Sequence, residues 1–184
     1  MAHNIAVIVG SLRKDSFNRK LAKAVMGVAP ASLHMSFVEI GALTPFSQDL
    51  EANPPASWVA FREQIKPVAG VLFATPEYNR SIPGVLKNAV DIGSRPYGQS
   101  VWGGKPVAII SGGFGATGGF GANHHLRQVL AYLDMPTMGQ PEAYIGGIGD
   151  MFDEHGAIKN PKTTEFLAKF AEAFAAWVDT HVKA

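Results

Sequence analysis

The sequence of 184 residues contains no cysteine. Disulfide bonds, thiolate catalysis, Cys-ligated zinc and Cys-ligated iron–sulfur clusters are therefore excluded. The chain also lacks an apolar run of membrane-spanning length, and the apolar run near its beginning is too short for a signal peptide. These features predict a cytoplasmic protein that has no membrane partner.

Neither sign of charge is in excess, because 16 Lys and Arg residues balance 15 Asp and Glu residues to a net charge of +1. The charges are interleaved, so no basic block favours nucleic acid and no acidic block favours a basic partner. The length and the 47% content of hydrophobic residues are typical of one globular domain. We therefore expect a single domain over residues 1–184 and no nucleic-acid partner.

Apolar runs alternate five times with segments of helical periodicity. The predicted strands are 4–9, 33–37, 68–74, 105–111 and 136–144. The predicted helices are 17–28, 58–66, 83–93, 123–134 and a last helix that begins at Asn160-Pro161. Strands that are apolar throughout indicate a sheet covered on both faces. The sequence therefore predicts an α/β fold, a doubly wound five-stranded parallel sheet with helices on both faces.

Ligands of such sheets bind beyond the carboxyl ends of the strands, and an unusual loop follows the first strand. Gly10 stands alone where a dinucleotide fingerprint needs three spaced glycines. The loop instead offers hydroxyls, a guanidinium, an amide and a helix N-terminus, from Ser11, Arg13, Ser16 and Asn18. Such donors suit a single terminal phosphate. The alternative is an ordinary helix cap from Asp15 or Ser16, with a solvated Arg13.

Two further loops follow the strands that end at residues 74 and 111. After Thr75-Pro76, the side chain of Tyr78 is placed to lie along a flat ring, and backbone N–H groups of 77–79 can donate to it. Six glycines in the ten residues from Gly112 allow close approach of the backbone to a ligand. The alternatives are a plain β–α loop whose tyrosine covers its own helix, and a flexible surface loop. Together the three loops predict a site for flavin mononucleotide, FMN.

These residues and others resemble the NADPH-dependent FMN reductase family, which has a flavodoxin-like fold, and within it the quinone and chromate reductase branch. The resemblance is dense from about residue 4 to residue 121 and looser beyond. It is carried by Gly10-Ser11-Leu12-Arg13, Ser16, Asn18, Phe46-Ser47-Gln48-Asp49-Leu50-Glu51, Thr75-Pro76-Glu77-Tyr78-Asn79, Pro83-Gly84, Leu86-Lys87-Asn88-Ala89, Asp91, Ser94-Arg95-Pro96 and Ser111-Gly112-Gly113.

The resemblance implies specific roles at the site. It implies that the FMN phosphate is held by Ser11, Arg13, Ser16 and Asn18, with the backbone of Phe17. It implies that Pro76, Glu77, Tyr78 and Asn79 run beside the isoalloxazine and ribityl groups, and that Ser111, Gly112 and Gly113 bound the far end. It also implies a homodimer with each flavin near the subunit interface, and a homotetramer remains open.

The resemblance further implies that NADPH or NADH gives a hydride to flavin N5 and that a small-molecule acceptor then takes the electrons. Quinones, free flavin, azo dyes and chromate-type oxyanions are the expected acceptors. The cofactor carries this chemistry, so we predict no catalytic side chain, and we expect Glu77 to structure its loop instead of acting as an acid. Arg95 is a candidate for binding an anionic substrate, or else a solvated cation at a helix end.

Other readings of the sequence remain open. An FMN-binding electron carrier or a redox sensor would share the fold and act through a protein partner, although such carriers are usually strongly acidic. A nucleotide-binding module without flavin is a further alternative. Adjacent His124 and His125 do not share a helix face, so we predict no metal site.

Overall fold

The computed structural model describes residues 2–182 and contains the predicted alternation of strands and helices. The strands are β1 (His3–Val9), β2 (Leu33–Phe37), β3 (Gly70–Thr75), β4 (Val107–Gly112) and β5 (Ala143–Ile145). The α-helices are α1 (Phe17–Val28), α2 (Ala56–Ile65), α3 (Gly84–Ser94), α4 (Phe120–Tyr132) and α5 (Pro161–His181).

The strands form one sheet in the order β2-β1-β3-β4-β5, and every neighbouring pair is parallel. The chain moves outward from β1 to β2, then returns to build β3, β4 and β5 on the other side of β1. This reversal places the topological switch point between β1 and β3, where ligands of such sheets bind. The predicted five-stranded, doubly wound parallel sheet is confirmed.

Each face of the sheet is covered by its own group of helices. Along β1, Val7 faces the core shared with α1 and α5, whereas Ile8 faces the core shared with α2, α3 and α4. Leu72 and Phe73 alternate in the same way along β3. Burial of a large apolar side chain contributes about 1.5–3 kcal/mol, so both faces favour apolar residues. This explains the uninterrupted apolar runs in the sequence.

Several element boundaries differ from the prediction. β5 spans only Ala143–Ile145 at the edge of the sheet, and the segment before it contacts β4 through a single bridge from Thr137 to Val107. α4 begins at Phe120, three residues before its predicted start. Pro83 occupies the N-cap position of α3 instead of being the first helical residue. The start of α5 is confirmed, because the Asn160 side chain accepts a 3.0 Å hydrogen bond from the Lys162 N–H.

Trp102 fills the space between α3 and the sheet. Its side chain is fully buried, and its indole N–H donates to the carbonyl of Val90 at 2.9 Å. A Cβ atom placed at Gly93 would overlap this indole ring. The glycine near the end of α3 is therefore required by the neighbouring tryptophan.

Within residues 2–182, no helix has both the length and the apolar composition that a membrane crossing needs.

Gly93 and Gly27 give a matched pair of stability variants, because each is the penultimate residue of its helix. Gly93→Ala is expected to lower the free energy of unfolding by about 1–3 kcal/mol, since Trp102 has to shift. Gly27→Ala, whose Cβ would meet no atom within 4 Å, is expected to raise it by about 0.4–1 kcal/mol. Urea unfolding measures both changes, and effects of the same sign would contradict the packing described here.

Candidate functional site

A cavity of about 420 Å³ lies at the carboxyl edge of the sheet, where the loops after β1, β3 and β4 meet. Small-molecule sites typically occupy about 300–1,000 Å³. The cavity is lined by Ser11, Arg13, Ser16, Phe17, Asn18, Pro76, Glu77, Tyr78, Arg80, Gly112, Gly113, Phe114, Gly115, Thr117, Gly119 and Ile148. Its position beside the β1/β3 switch point makes it the candidate functional site.

A second groove, of about 440 Å³, lies between the end of β5 and the start of α5, beside Tyr144, Lys159 and Phe166. Its volume is similar to that of the cavity at the switch point. None of the predicted site residues lines it, and all of them belong to the described part of the chain. The position of the donors, and not the volume, therefore identifies the site.

The start of α1 points unsatisfied hydrogen-bond donors towards the cavity. Ser16 is the N-cap of α1, is 3% exposed, and its Oγ accepts a hydrogen bond from the Arg19 N–H at 3.2 Å. The N–H groups of Phe17 and Asn18 precede the first intrahelical hydrogen bonds. No acidic residue occupies the first turn of α1, so the positive end of the helix dipole has no carboxylate from that turn.

Arg13 adds a full positive charge to this donor set. Its side chain lies at the exposed lip of the cavity, and within residues 2–182 it forms no ion pair. A guanidinium, a hydroxyl and helix N–H groups together suit an anionic group such as a phosphate.

Asn18 joins the loop after β1 to the end of β4. Its Nδ2 donates to the carbonyl of Gly112 at 3.1 Å, and a Cβ at Gly112 would lie 3.0 Å from its Oδ1 and overlap Ile148. The side chain is 5% exposed, and among the described residues its Oδ1 has no hydrogen-bond partner. Buried polar atoms are rarely left unpaired. The orphaned acceptor therefore suits a ligand that carries hydroxyl donors, as the ribityl chain of FMN does.

The loop after β3 forms a two-residue hairpin. Tyr78 and Ser81 exchange both backbone hydrogen bonds, at 2.9 and 3.0 Å, around Asn79 and Arg80. Both central residues have positive φ angles, 51° and 64°, as a type I′ turn requires. The Tyr78 N–H is thus occupied by Ser81, and the expectation that it donates to a ligand ring was wrong. The Tyr78 side chain remains half-exposed at the cavity mouth.

Glu77 has a protein partner for each of its carboxylate oxygens. Its Oε2 accepts a hydrogen bond from the backbone N–H of Ala122 at 3.1 Å, and its Oε1 lies 2.7 Å from Nη1 of Arg80. Its side chain is 14% exposed. These contacts favour the expected loop-structuring role over that of an acid.

The glycine-rich loop, residues 113–119, closes the third side of the cavity. Gly118 and Gly119 have positive φ angles of 56° and 79°, a conformation that glycine adopts without steric cost. The exposed Phe114 ring packs edge-on against Phe17, with 5.6 Å between centroids. Ser111 lies beneath the loop, fully buried, and its Oγ accepts a 3.4 Å hydrogen bond from Nδ2 of Asn123.

The structure brings the predicted cofactor-binding residues to one cavity, apart from Asn79 and Ser111. Asn79 lies in the hairpin turn, and Ser111 is covered by the loop that follows it. The sequence did not single out Arg80, Phe114, Gly115, Thr117, Gly119 or Ile148. Four of these lie in the loop whose glycine content was noted as a whole, whereas no local signal marks Ile148.

Arg95 does not line this cavity. Its Nε donates to Oε1 of Glu51 at 2.6 Å, and this hydrogen bond raises the pKa of Arg95. The pair borders a separate cavity of only about 80 Å³, beside Trp58. The structure thus places Arg95 in an ion pair, whereas the sequence suggested a solvated cation or a substrate contact.

His124 and His125 point to different partners. His124 Nε2 lies 2.8 Å from the Tyr144 hydroxyl, and His125 Nδ1 lies 2.6 Å from the Ser81 hydroxyl. Desolvation, with a smaller effect of Glu142, raises the pKa of Tyr144 to about 12. Among residues 2–182, no group of three His, Asp or Glu side chains is arranged to hold a metal ion.

Comparison with known proteins adds independent observations. A family model described as NADPH-dependent FMN reductase matches residues 3–150. The chain is 56% identical to a "Quinone reductase" of Pseudomonas putida over 177 residues, covering 96% of this chain and 95% of the relative. It is 52% identical to a "2-hydroxy-1,4-benzoquinone reductase" of a Burkholderia species over 178 residues, covering 97% of each.

A solved structure shows the same fold over almost the whole length. It is FerB, a flavoenzyme NAD(P)H:(acceptor) oxidoreductase from Paracoccus denitrificans, with a TM-score of 0.92 and 40% sequence identity, covering 98% of this chain and 99% of that one. With the family match and the curated relatives, it leads to one conclusion: this chain belongs to the NADPH-dependent FMN reductase family.

Proposed function

We propose that this chain is an FMN-dependent NAD(P)H oxidoreductase that reduces quinones, and that the cavity at the sheet edge holds the FMN. The observation that carries the proposal is the set of free donors at the start of α1, next to an unpaired buried acceptor on Asn18. The names of the curated relatives support quinones as the acceptor class. The FMN-binding domain then corresponds to residues 1–184.

In this proposal the phosphate of FMN binds at the loop after β1. Arg13 supplies the charge, the hydroxyls of Ser11 and Ser16 donate hydrogen bonds, and the N–H groups of Phe17 and Asn18 complete the contacts. Charge-assisted hydrogen bonds of this kind are roughly twice as strong as neutral ones. The phosphate end therefore provides most of the specificity for FMN over riboflavin.

The remaining residues hold the rest of the cofactor. Asn18 Oδ1 would accept a hydrogen bond from a ribityl hydroxyl, and Gly112 and Gly113 line the cavity beside it. The rings of Tyr78 and Phe114, 50% and 68% exposed, stand at the mouth of the cavity. Aromatic rings of this kind favour offset stacking with a planar group.

Bound FMN supplies the redox chemistry, by accepting a hydride from NADPH or NADH and passing electrons to the acceptor. The side chains bind and orient the cofactor, and none is assigned a role as nucleophile, acid or base. Glu77 is the carboxylic acid that lines the cavity, and both of its oxygens already have protein donors.

Two expectations stay predictions, the homodimer that the resemblance implies and the cytoplasmic location that the composition suggests. A homodimer would cover exposed aromatic side chains such as Tyr97 and Tyr132, which otherwise expose apolar surface to water. A cytoplasmic location is consistent with a chain that has no cysteine.

Anaerobic reduction tests the proposed activity. The protein loaded with FMN is titrated with NADPH, and separately with NADH, while the flavin absorbance is recorded. We expect at least one donor to bleach the oxidised flavin, and a benzoquinone to restore its absorbance. Flavin that stays oxidised with both donors would favour an electron carrier or sensor, and a protein that retains no FMN would contradict the assignment of the cavity.

The variant Arg13→Ala/Ser16→Ala tests the phosphate site. Hydrogen bonds to charged groups contribute about 1.5–3 kcal/mol each, so we expect the Kd for FMN to rise by about 100-fold or more. The Kd for riboflavin, which has no phosphate, should change little. Quenching of flavin fluorescence measures both constants.

Lys14→Ala is the matched control, because it removes a positive charge from the same turn but lies outside the cavity lining. It should leave the Kd for FMN nearly unchanged. Circular dichroism checks the fold, since loss of the Ser16 cap costs about 1 kcal/mol of stability. An equal loss of FMN and riboflavin binding in the double variant would rule out the phosphate assignment.

A further inference from the structure

We propose that Glu77 is a positioning residue: its carboxylate caps α4 from a different loop and thereby holds the glycine-rich loop in place against the cavity. The role follows from contacts within the chain. This inference rests on the proposed function in one respect, which is that FMN is the ligand of the cavity.

The helix α4 has no cap of its own. Its N-cap residue is Gly119, which has a positive φ angle and no side chain, and no acidic residue occupies its first turn. The first N–H groups of a helix need acceptors, and a carboxylate at that end also interacts favourably with the helix dipole. Oε2 of Glu77 meets both needs, because it accepts the hydrogen bond of the Ala122 N–H at 3.1 Å.

Gly121 provides the room for this contact. A Cβ at position 121 would lie 2.8 Å from Oε2 of Glu77 and 3.2 Å from the carbonyl oxygen of Arg80. Any side chain there would push the carboxylate away from the helix end. A glycine in the first turn lowers helix propensity, so its presence is explained by the approach of Glu77.

Arg80 holds the other carboxylate oxygen. Its Nη1 lies 2.7 Å from Oε1 of Glu77, while its own backbone has a φ of 64° in the hairpin turn. Glycine is favoured at this second central position of a type I′ turn. An arginine there carries backbone strain, and in return it supplies the cation that orients Glu77.

The contact links two of the three loops that surround the cavity. Glu77 belongs to the loop after β3, and Ala122 lies in the first turn of α4, the helix that follows the glycine-rich loop. Gly118 in that loop already lies so close to Ile145 that a Cβ would overlap its backbone. Release of the first turn of α4 is expected to move the residues of this loop that line the cavity, and so to weaken FMN binding.

Two substitutions of Glu77 separate a cap from a proton donor. In Glu77→Gln the amide oxygen still accepts the Ala122 N–H but the ion pair with Arg80 is lost, so we expect the Kd for FMN to rise, and kcat to fall, by no more than about threefold. In Glu77→Ala no acceptor remains, and we expect the Kd for FMN to rise about tenfold. Hydrogen exchange of the protein without FMN should be faster over residues 113–123 in Glu77→Ala but not in Glu77→Gln.

Asn160→Ala is the matched control, because it removes the side-chain cap of α5, which lies outside the cavity. It should lower stability as Glu77→Ala does, but leave the Kd for FMN unchanged. FMN binding by the unmodified protein is measured first. If that protein binds no FMN, the proposed function fails, and this result is distinct from a failure of the Glu77 role.

Three results would overturn the positioning role of Glu77. The first is loss of turnover in Glu77→Gln with intact FMN binding, which would make Glu77 a proton donor. The second is equal weakening of FMN binding in the Gln and Ala variants, which would assign the effect to charge. The third is an unchanged Kd in Glu77→Ala.

Discussion

Gly10 and Gly112 stand where the carboxyl ends of β1 and β4 pass too close to other parts of the chain for a side chain. A Cβ at Gly10 would lie 2.9 Å from Oγ1 of Thr75, and one at Gly112 would lie 3.0 Å from Oδ1 of Asn18. The first approach brings the end of β1 against β3, and the second brings the end of β4 against the first turn of α1. Because parallel strands end at one edge and β1 lies beside β3, the three loops must share a single cavity. A larger residue at either glycine would push these segments of the chain apart.

Of the helix N-termini at this edge, those of α1 and α4 line the cavity, and they differ in how they are capped. α1 has a serine cap and no acid in its first turn, and within residues 2–182 the nearby Arg13 forms no ion pair, so the positive end of α1 remains open to an anion. α4 has neither cap nor acid of its own, and Glu77 neutralises it from another loop. Within this cavity an anionic ligand is therefore favoured at α1 over α4. The difference gives the cavity a positive end beside α1, whereas the charges of Glu77 and Arg80 offset each other beside α4.

The sequence predicted the features that depend on local pattern. The buried strands β1, β3 and β4 are uninterrupted apolar runs, and Asn160-Pro161 is a local cap, so both were found. The start of α4 was missed because glycines weaken the helix signal there, and the compensating cap comes from Glu77, 45 residues away in the chain. No local pattern in the sequence indicated the Arg95–Glu51 pair or the approach of Ile148 to the cavity. Each depends on contacts between segments that no spacing rule connects.

The charges around the site bear on which acceptors the proposed enzyme prefers. Arg80 is paired with Glu77, Arg95 is paired with Glu51, and in the proposed function Arg13 holds the cofactor phosphate. Each of these arginines thus has an anionic partner, so an oxyanion would have to compete for it. The exposed rings of Tyr78 and Phe114, in contrast, have open surface at the mouth of the cavity. Stacking on such rings favours the binding of a planar, uncharged acceptor. Transfer of such an acceptor from water into the site costs little free energy. The site is therefore better suited to quinones than to chromate-type oxyanions. The preference comes from the pairing of its arginines with anionic groups and not from the cofactor.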